Sequence, residues 1–364
     1  MAYSPPTFDP EPNRAPQPLS ADDALPPVEP PSAGFIVQLF VVPGVIVAAI
    51  VAVWLVITWI AQRGDDPRQY FKKLQQSGPS RWQAAANLAT AMRGDRHDAF
   101  KRDADAAAEL AALLSEEIDA AEKAAEQAPE KSALEQSISL RGFMCKALGE
   151  FYVDAGLPVL LRAARTSHQK GDVHVRRAAI EAIALLAENV SQANSGQRLA
   201  GPQLEETLLQ LSEDDDDVIR YTTAYAMGMV GGDALRTRLQ VMLSDPSPDT
   251  RYNAAIALSR HGDPQALPVL LQMLDPAQVA LGLEVEKVPA ARPYKQASIM
   301  INAMRATLRM AETYPQVDVG PLTQAIERLA EGAADPPIRK AAQSVLVELK
   351  PLLERRAQAK SAAK

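Results

Sequence analysis

Large apolar side chains recur along this chain in short stripes at helical spacing, broken by turns rich in Asp, Ser, Gly and Pro. The stripes share a register. An Asp or Ser stands four residues before an Arg at Ser77/Arg81, Ser137/Arg141, Asp172/Arg176, Asp216/Arg220, Ser247/Arg251 and Asp335/Arg339. Seven residues after those arginines come Leu88, Leu148, Ile183, Met227, Leu258 and Leu346, each followed by a small or aliphatic residue: Ala89, Gly149, Ala184, Gly228, Ser259 and Val347. One helix is written repeatedly, and a helix with a single apolar stripe must bury it against a neighbour of its own kind.

Starts and stops are clearest between residues 233 and 275. Leu235, Leu239, Met242 and Leu243 share a face in DALRTRLQVMLSD, and Ser247 then opens the next helix with Pro248 behind it. Ser as cap and Pro at the first helical position predict a start, the hydroxyl taking an orphan N–H while the ring presets the backbone. Gly262 predicts the stop, where a left-handed residue is needed, and Pro264 opens the following unit.

This pattern resembles the HEAT repeat family, including its bacterial phycobilisome-lyase-type variants. The resemblance rests on Pro268 in ALPVLLQMLD, Pro158 in GLPVLLRAA and Pro321 in GPLTQAIERLA, with a turn acid and then the helix-two Arg following, and it covers about residues 66–356. It implies an α-solenoid in which the turn acid and the Arg form a structural ladder between neighbouring units. About seven helix pairs account for the span, their second helices beginning near Arg81, Arg141, Arg176, Arg220, Arg251, Tyr294 and Arg339.

Two intervals depart from the rhythm. Between Arg81 and Arg141, Leu110, Leu113, Leu114, Ile118 and Ala121 keep helical spacing and Pro129 follows, so residues 103–127 are predicted to be one elongated first helix. The sixth unit lacks the Asp/Ser-to-Arg pair and carries an insertion at about 276–293, where residues 283–288 alternate apolar and charged. That alternation predicts a short strand or hairpin, and insertions in solenoids often lie on a binding face. The insertion is therefore the expected contact site.

Upstream the pattern changes altogether. No charged residue lies between Glu29 and Arg63, and residues 35–61 are apolar except for Gln38, Pro43, Gly44 and Thr58. A helix of that length would measure about 40 Å, enough to cross a hydrocarbon core of about 30 Å. Its Phe, Leu, Ile and Val residues favour insertion by about −5 to −10 kcal/mol as an upper bound. The acidic, Pro-rich stretch before it and its long apolar core argue for a permanent single-pass anchor over a cleaved signal peptide. Arg63, Arg68, Lys72, Lys73 and Arg81 follow the span and Arg14 alone precedes it. The positive flank predicts an outside N-terminus and a cytoplasmic solenoid, in a bacterial inner membrane, with Trp54 and Trp59 towards the inner interface.

Residues 1–34 hold ten prolines and a net charge of −4, so a disordered tail is expected there, and another at 357–364. The whole chain carries −7, which leaves residues 35–364 with only −3 and the repeat array within 62–356 nearly neutral. No concentrated basic face of the kind nucleic-acid binding needs is evident. Aromatics are only 5%, which suits close helix packing. The single Cys145 excludes an intrachain disulfide and sits in a core column.

Catalytic chemistry is not evident either. His97, His168, His174 and His261 form no His-Glu pair, the arrangement by which HEAT-like metal hydroxylases hold di-iron. The acidic run Glu213 to Asp217 lacks the spacing of a calcium loop and reads as a helix start, with Asp216 capping and Asp217 in the first turn. No catalytic, cofactor-binding or metal residue is assigned, and no cofactor is expected. The expected function is a non-catalytic, membrane-anchored scaffold or adaptor that binds an unknown protein on the solenoid surface. The alternative is a structural protein that self-associates or shapes membranes. A bilin-lyase-like or other HEAT-type enzyme is the third reading.

Overall fold

A computed structural model describes residues 32–62, 66–76, 78, 80–94, 97–125, 131–166, 172–284, 286 and 288–362. The tail 1–31, Arg63, Ser77, Pro129, His168, Val285, Lys287 and the side chain of Trp59 lie outside the described residues. The chain divides into two units, Met1–Arg63 and Gly64–Lys364.

In the first unit, α1 (Ala33–Ile36) leads through a π-helical stretch, Val37–Val41, into α2 (Val42–Gln62). Pro43 lacks an N–H and its ring crowds the carbonyl four residues back, and the widened π turn sits where that strain falls. Val37–Thr58 is long and apolar enough to cross a membrane, with a mean hydropathy of 2.9 and none of its most apolar window buried. At 1.5 Å per residue its length is about 33 Å.

The second unit is helical throughout its regular structure, with no strand among the described residues. Seven helix pairs can be traced there. They are α3 (Arg68–Gln75) with α4 (Arg81–Ala91), α6 (Ala104–Ala125) with α7 (Lys131–Gly149), α8 (Leu157–Arg165) with α9 (Asp172–Ala193), α10 (Leu204–Leu211) with α11 (Asp217–Val230), α12 (Asp233–Met242) with α13 (Pro248–Ser259), α14 (Leu267–Met273) with α16 (Arg292–Thr313), and α17 (Gly320–Gly332) with α18 (Pro336–Ala362). Two short helices interrupt the order, α5 (Asp98–Lys101) and α15 (Pro276–Gly282).

The apolar column seven residues after each Arg forms the core. Leu88, Leu148, Ile183, Met227 and Leu258 are wholly buried and Leu346 nearly so. The second helices pack on one another in order, α4, α7, α9, α11, α13, α16 and α18. Small residues let them close. A Cβ on Gly149 would lie 2.8 Å from Ala182 Cα, and one on Gly228 would lie 2.6 Å from Ala257 Cβ. The next residue of the repeat column is thus a backbone contact between units.

α6 matches the elongated helix expected at 103–127, with the Asp103 carboxylate accepting from the N–H groups of Asp105 and Ala106 at its start. Several expectations need correction. α7 begins ten residues before Arg141, so Ser137 lies inside the helix and caps nothing. Ser247 does occupy the cap of α13, yet its hydroxyl takes no orphan N–H; it lies 3.4 Å from Asp217 Oδ2, and the Asp245 carboxylate accepts from the Ser247 N–H instead. The C-terminal tail expected from 357 is helical through Ala362, since its Ala- and Lys-rich sequence favours helix. No strand or hairpin occurs at 283–288 among the described residues. Asp275 and Pro276 open α15, and Val279 and Leu283, one helical turn apart, are both buried. That four-residue spacing outweighs a six-residue alternation too short to pair with anything.

Candidate interaction surface around the sixth helix pair

Arg220 and Arg251 bond groups other than the residue four places before them, and Arg141 meets the Ser137 backbone carbonyl at 3.4 Å. Arg81, Arg141, Arg176 and Arg220 each take a backbone carbonyl and reach forward to an acid of the next unit. Arg141, almost fully buried, bonds Asp172 at 3.2 Å. Arg176 donates to the Ala164 carbonyl at 3.0 Å and ion-pairs with Asp214. Arg220 donates to the carbonyls of Asp214 and Asp215 at 2.9 and 3.0 Å and grips both oxygens of Asp245. The ladder of the resemblance is present over these units, but Asp214 and Asp245 stand six residues before Arg220 and Arg251, not four. Asp216 performs the other expected task, accepting from Val218 N–H at 2.8 Å as the cap of α11.

At the sixth pair the ladder changes hand. Arg251 donates to the carbonyls of Asp245 and Pro246 but has no ion pair to the next unit among the described residues. Lys295 is the fourth residue of α16, the place that Arg220 and Arg251 hold in α11 and α13. It bonds backward to Asp249 at 2.8 Å and sideways to Glu286 of the insertion at 3.1 Å. Burial alone would lower the Lys295 ammonium, but the hydrogen bonds to Asp249 and Glu286 outweigh it and hold the group above the ordinary lysine range. Arg292 fastens the same segment through the Glu284 carbonyl at 2.9 Å.

The insertion and helices α11, α13 and α16 together line a groove of about 550 Å3 whose wall includes Asp217, Tyr221, Asp249, Tyr252, Glu286 and Lys295. Outside the anchor, the large apolar side chains left exposed among the described residues are Val241, Leu281, Val288, Tyr294 and Val347. Three of them lie between 281 and 294. Sequence reasoning reached the insertion but missed Lys295, because the repeat signature is an Arg after Asp or Ser; a cation at the fourth position of a Pro-opened helix was the available signal.

The other singled-out residues are held apart. His261 is half buried with Nε2 3.0 Å from the Gly228 carbonyl oxygen, and burial keeps its imidazole below the ordinary histidine value. His97 precedes α5 and His174 lies on α9. Among the described residues no group of three or more His, Cys, Asp or Glu is placed to hold a metal ion. Cys145 is buried, which pushes its thiol up to about 12. In the basic flank after the apolar span, Arg68 pairs with Asp103 at 2.5 Å and Arg81 with Glu117 at 2.7 Å, whereas Lys72 and Lys73 are exposed.

Residues 204–282 match the family model described as HEAT repeats, which spans the fourth and fifth pairs with α14 and α15. No curated protein matches the chain. Among solved structures the chain is similar to YibA of Escherichia coli, at 15% identity over 80% of this chain and 95% of that one, with a TM-score of 0.38. It is also similar to human deoxyhypusine hydroxylase in complex with glycerol, at 14% identity over 80% of this chain and 98% of that one, with a TM-score of 0.30. At those scores neither likeness bears on what this chain does.

Proposed function

We propose that this chain, whose residues 204–282 are HEAT repeats, is a single-pass membrane protein whose cytoplasmic solenoid holds another protein without catalysing a reaction. The carrying observation is that three of the five large apolar side chains left exposed outside the anchor among the described residues, Leu281, Val288 and Tyr294, fall in the one stretch of chain that carries the insertion, which also lines a groove through Glu286. Exposed large apolar side chains are what a protein interface uses for its core. The apolar span and the basic residues that follow it support the anchor and its orientation.

Affinity capture of the full chain from detergent-solubilised membranes tests this reading. A stoichiometric protein partner is expected, and Leu281→Asp with Tyr294→Ala should release it while circular dichroism stays unchanged, since both side chains are exposed. Recovery of the chain alone, or only of further copies of itself, would overturn the scaffold in favour of a self-associating structural protein. A metal or chromophore co-purifying in stoichiometric amount would overturn its non-catalytic character. A C-terminal tag digested by protease added to intact cells would reverse the orientation.

A further inference from the structure

One turn beyond the sixth-pair groove, the same three helices form a second groove of about 400 Å3 with a different chemistry. Tyr225 follows Tyr221 on α11, Asn253 and Arg260 follow Tyr252 on α13, and Asn302, Arg305 and Arg309 follow Ile299 on α16. Three guanidinium groups line it. None makes an ion pair among the described residues, whereas Arg81, Arg141, Arg176, Arg220 and Arg238 each have a carboxylate within 3.5 Å. Ile256 and the buried Ala306 supply an apolar floor between them.

Gathering like charges without a counter-ion is unfavourable, most of all where a group is partly buried. Arg260 is such a group. Burial and then the neighbouring Arg309 hold its guanidinium below the ordinary arginine range, against weaker opposing effects of Tyr225 and Glu188. An anionic ligand would relieve that repulsion and accept hydrogen bonds from the planar guanidinium donors.

We infer that this groove takes an acidic segment of the partner protein, an extended strand with carboxylates at alternate positions. Arg305 and Arg309 stand four residues apart on one face of α16, about 6 Å along its axis. Alternate side chains of an extended strand repeat at about 6.7 Å on one face, so two successive carboxylates meet the two forks in register. The floor of Ile256 and Ala306 faces the strand between them. Asn302 offers an amide that donates and accepts, the pair of functions a peptide bond needs, while the Asn253 Nδ2 already donates to the Asp249 carbonyl at 2.9 Å and its Oδ1 remains an acceptor. Both grooves are lined by α11, α13 and α16, so one partner could engage the two, and the assignment rests on the scaffold reading to that extent.

The test uses the full chain in detergent and a fluorescein-labelled peptide of alternating Glu and Ala, with a Gln-for-Glu peptide as control. Saturable binding of the Glu peptide is expected, falling about tenfold or more in the R305Q/R309Q double variant and weakening as salt rises. Both side chains are exposed, so the variant should keep its helicity and melting temperature. Equal binding of the Gln peptide, or unchanged binding by R305Q/R309Q, would overturn the assignment. A phosphoserine-for-Glu peptide that bound more than tenfold tighter would overturn it in favour of a phosphorylated ligand. If R305Q/R309Q captures the membrane partner as well as the unaltered chain does, the groove assignment falls and the scaffold stands. Arginine-dependent peptide binding by a chain that captures no protein would do the reverse.

Discussion

Arg220 and Asp245 join the fourth and fifth helix pairs at two points, with Nε 2.9 Å from Oδ2 and Nη2 3.1 Å from Oδ1. Both side chains are largely buried, at 15% and 10% exposed, and the guanidinium also closes the turn that precedes its own helix. Removing either partner leaves a charge stranded in a water-poor site. Arg220→Ala should therefore lower stability to urea by about 2–3 kcal/mol. Arg220→Lys should recover only part of it, because a lysine cannot make the two-point contact. A loss under about 0.5 kcal/mol, the usual size at an exposed pair, would show that the ladder does not hold the units together.

The same pair predicts an acid dependence. Burial would raise the Asp245 carboxyl, but hydrogen bonds from Arg220 and from the Ser247 N–H outweigh it and hold the group below the ordinary carboxylate value. A carboxyl lowered by folding stabilises the folded state above its unfolded value of about 3.9, and that contribution is lost as pH falls through the folded value. Urea midpoints measured downward from pH 5 should fall less steeply for Asp245→Asn than for the unaltered chain. Parallel curves would remove Asp245 from the acid response.

Gly262 ends α13's turn at φ +67, and a Cβ there would lie 2.4 Å from Tyr314 Cγ. The ring has little room to retreat, because its hydroxyl donates to the Arg260 carbonyl at 2.8 Å. Gly262→Ala should cost about 3 kcal/mol, combining left-handed backbone strain with overpacking. Gly94 has φ +77 and nothing within 4 Å, so Gly94→Ala isolates the backbone part at about 1–2 kcal/mol. Equal melting shifts for the two variants would mean that the Tyr314 ring yields freely.

Lys295 is more exposed than the ladder arginines, and its pairs with Asp249 and Glu286 act on the insertion rather than on the stack. Lys295→Met should change global stability by less than about 1 kcal/mol. Amide exchange over 283–292 should nevertheless speed up several-fold, since the segment loses the side chain that ties it to α13 and α16. Unchanged exchange there would leave Arg292 as the sufficient fastening.

Cys145 is wholly buried and its thiol is pushed up to about 12, so almost no thiolate exists at neutral pH. The folded chain should resist iodoacetamide, with rapid labelling only in denaturant. Labelling of the native chain within minutes would show that the α7 environment opens readily.

The columns that could be read from the chain alone are those whose cause is local. Leu148, Ile183, Met227 and Leu258 are buried where their seven-residue offset placed them, and the uncharged, largely apolar run of Val37–Thr58 is a helix of membrane-crossing length. Asp216 caps α11 as its type and place predict. These depend on helical periodicity, capping and apolar content, all properties of residues within a turn or two of each other.

Partner choice across units was hidden. Arg220 bonds a residue 25 positions away, Lys295 one 46 positions away, and Arg260 gathers with Arg305 and Arg309 from a later helix. The same limit explains the misread insertion: Val279 and Leu283 become core residues only because α14 and α16 stand ready to cover them. Local spacing sets which face of a helix is apolar, whereas the register in which one helix stacks on the next sets which charges meet. For this chain the helical array and its apolar span follow from the first, and the shifted ladder, the fastened insertion and the basic groove follow from the second.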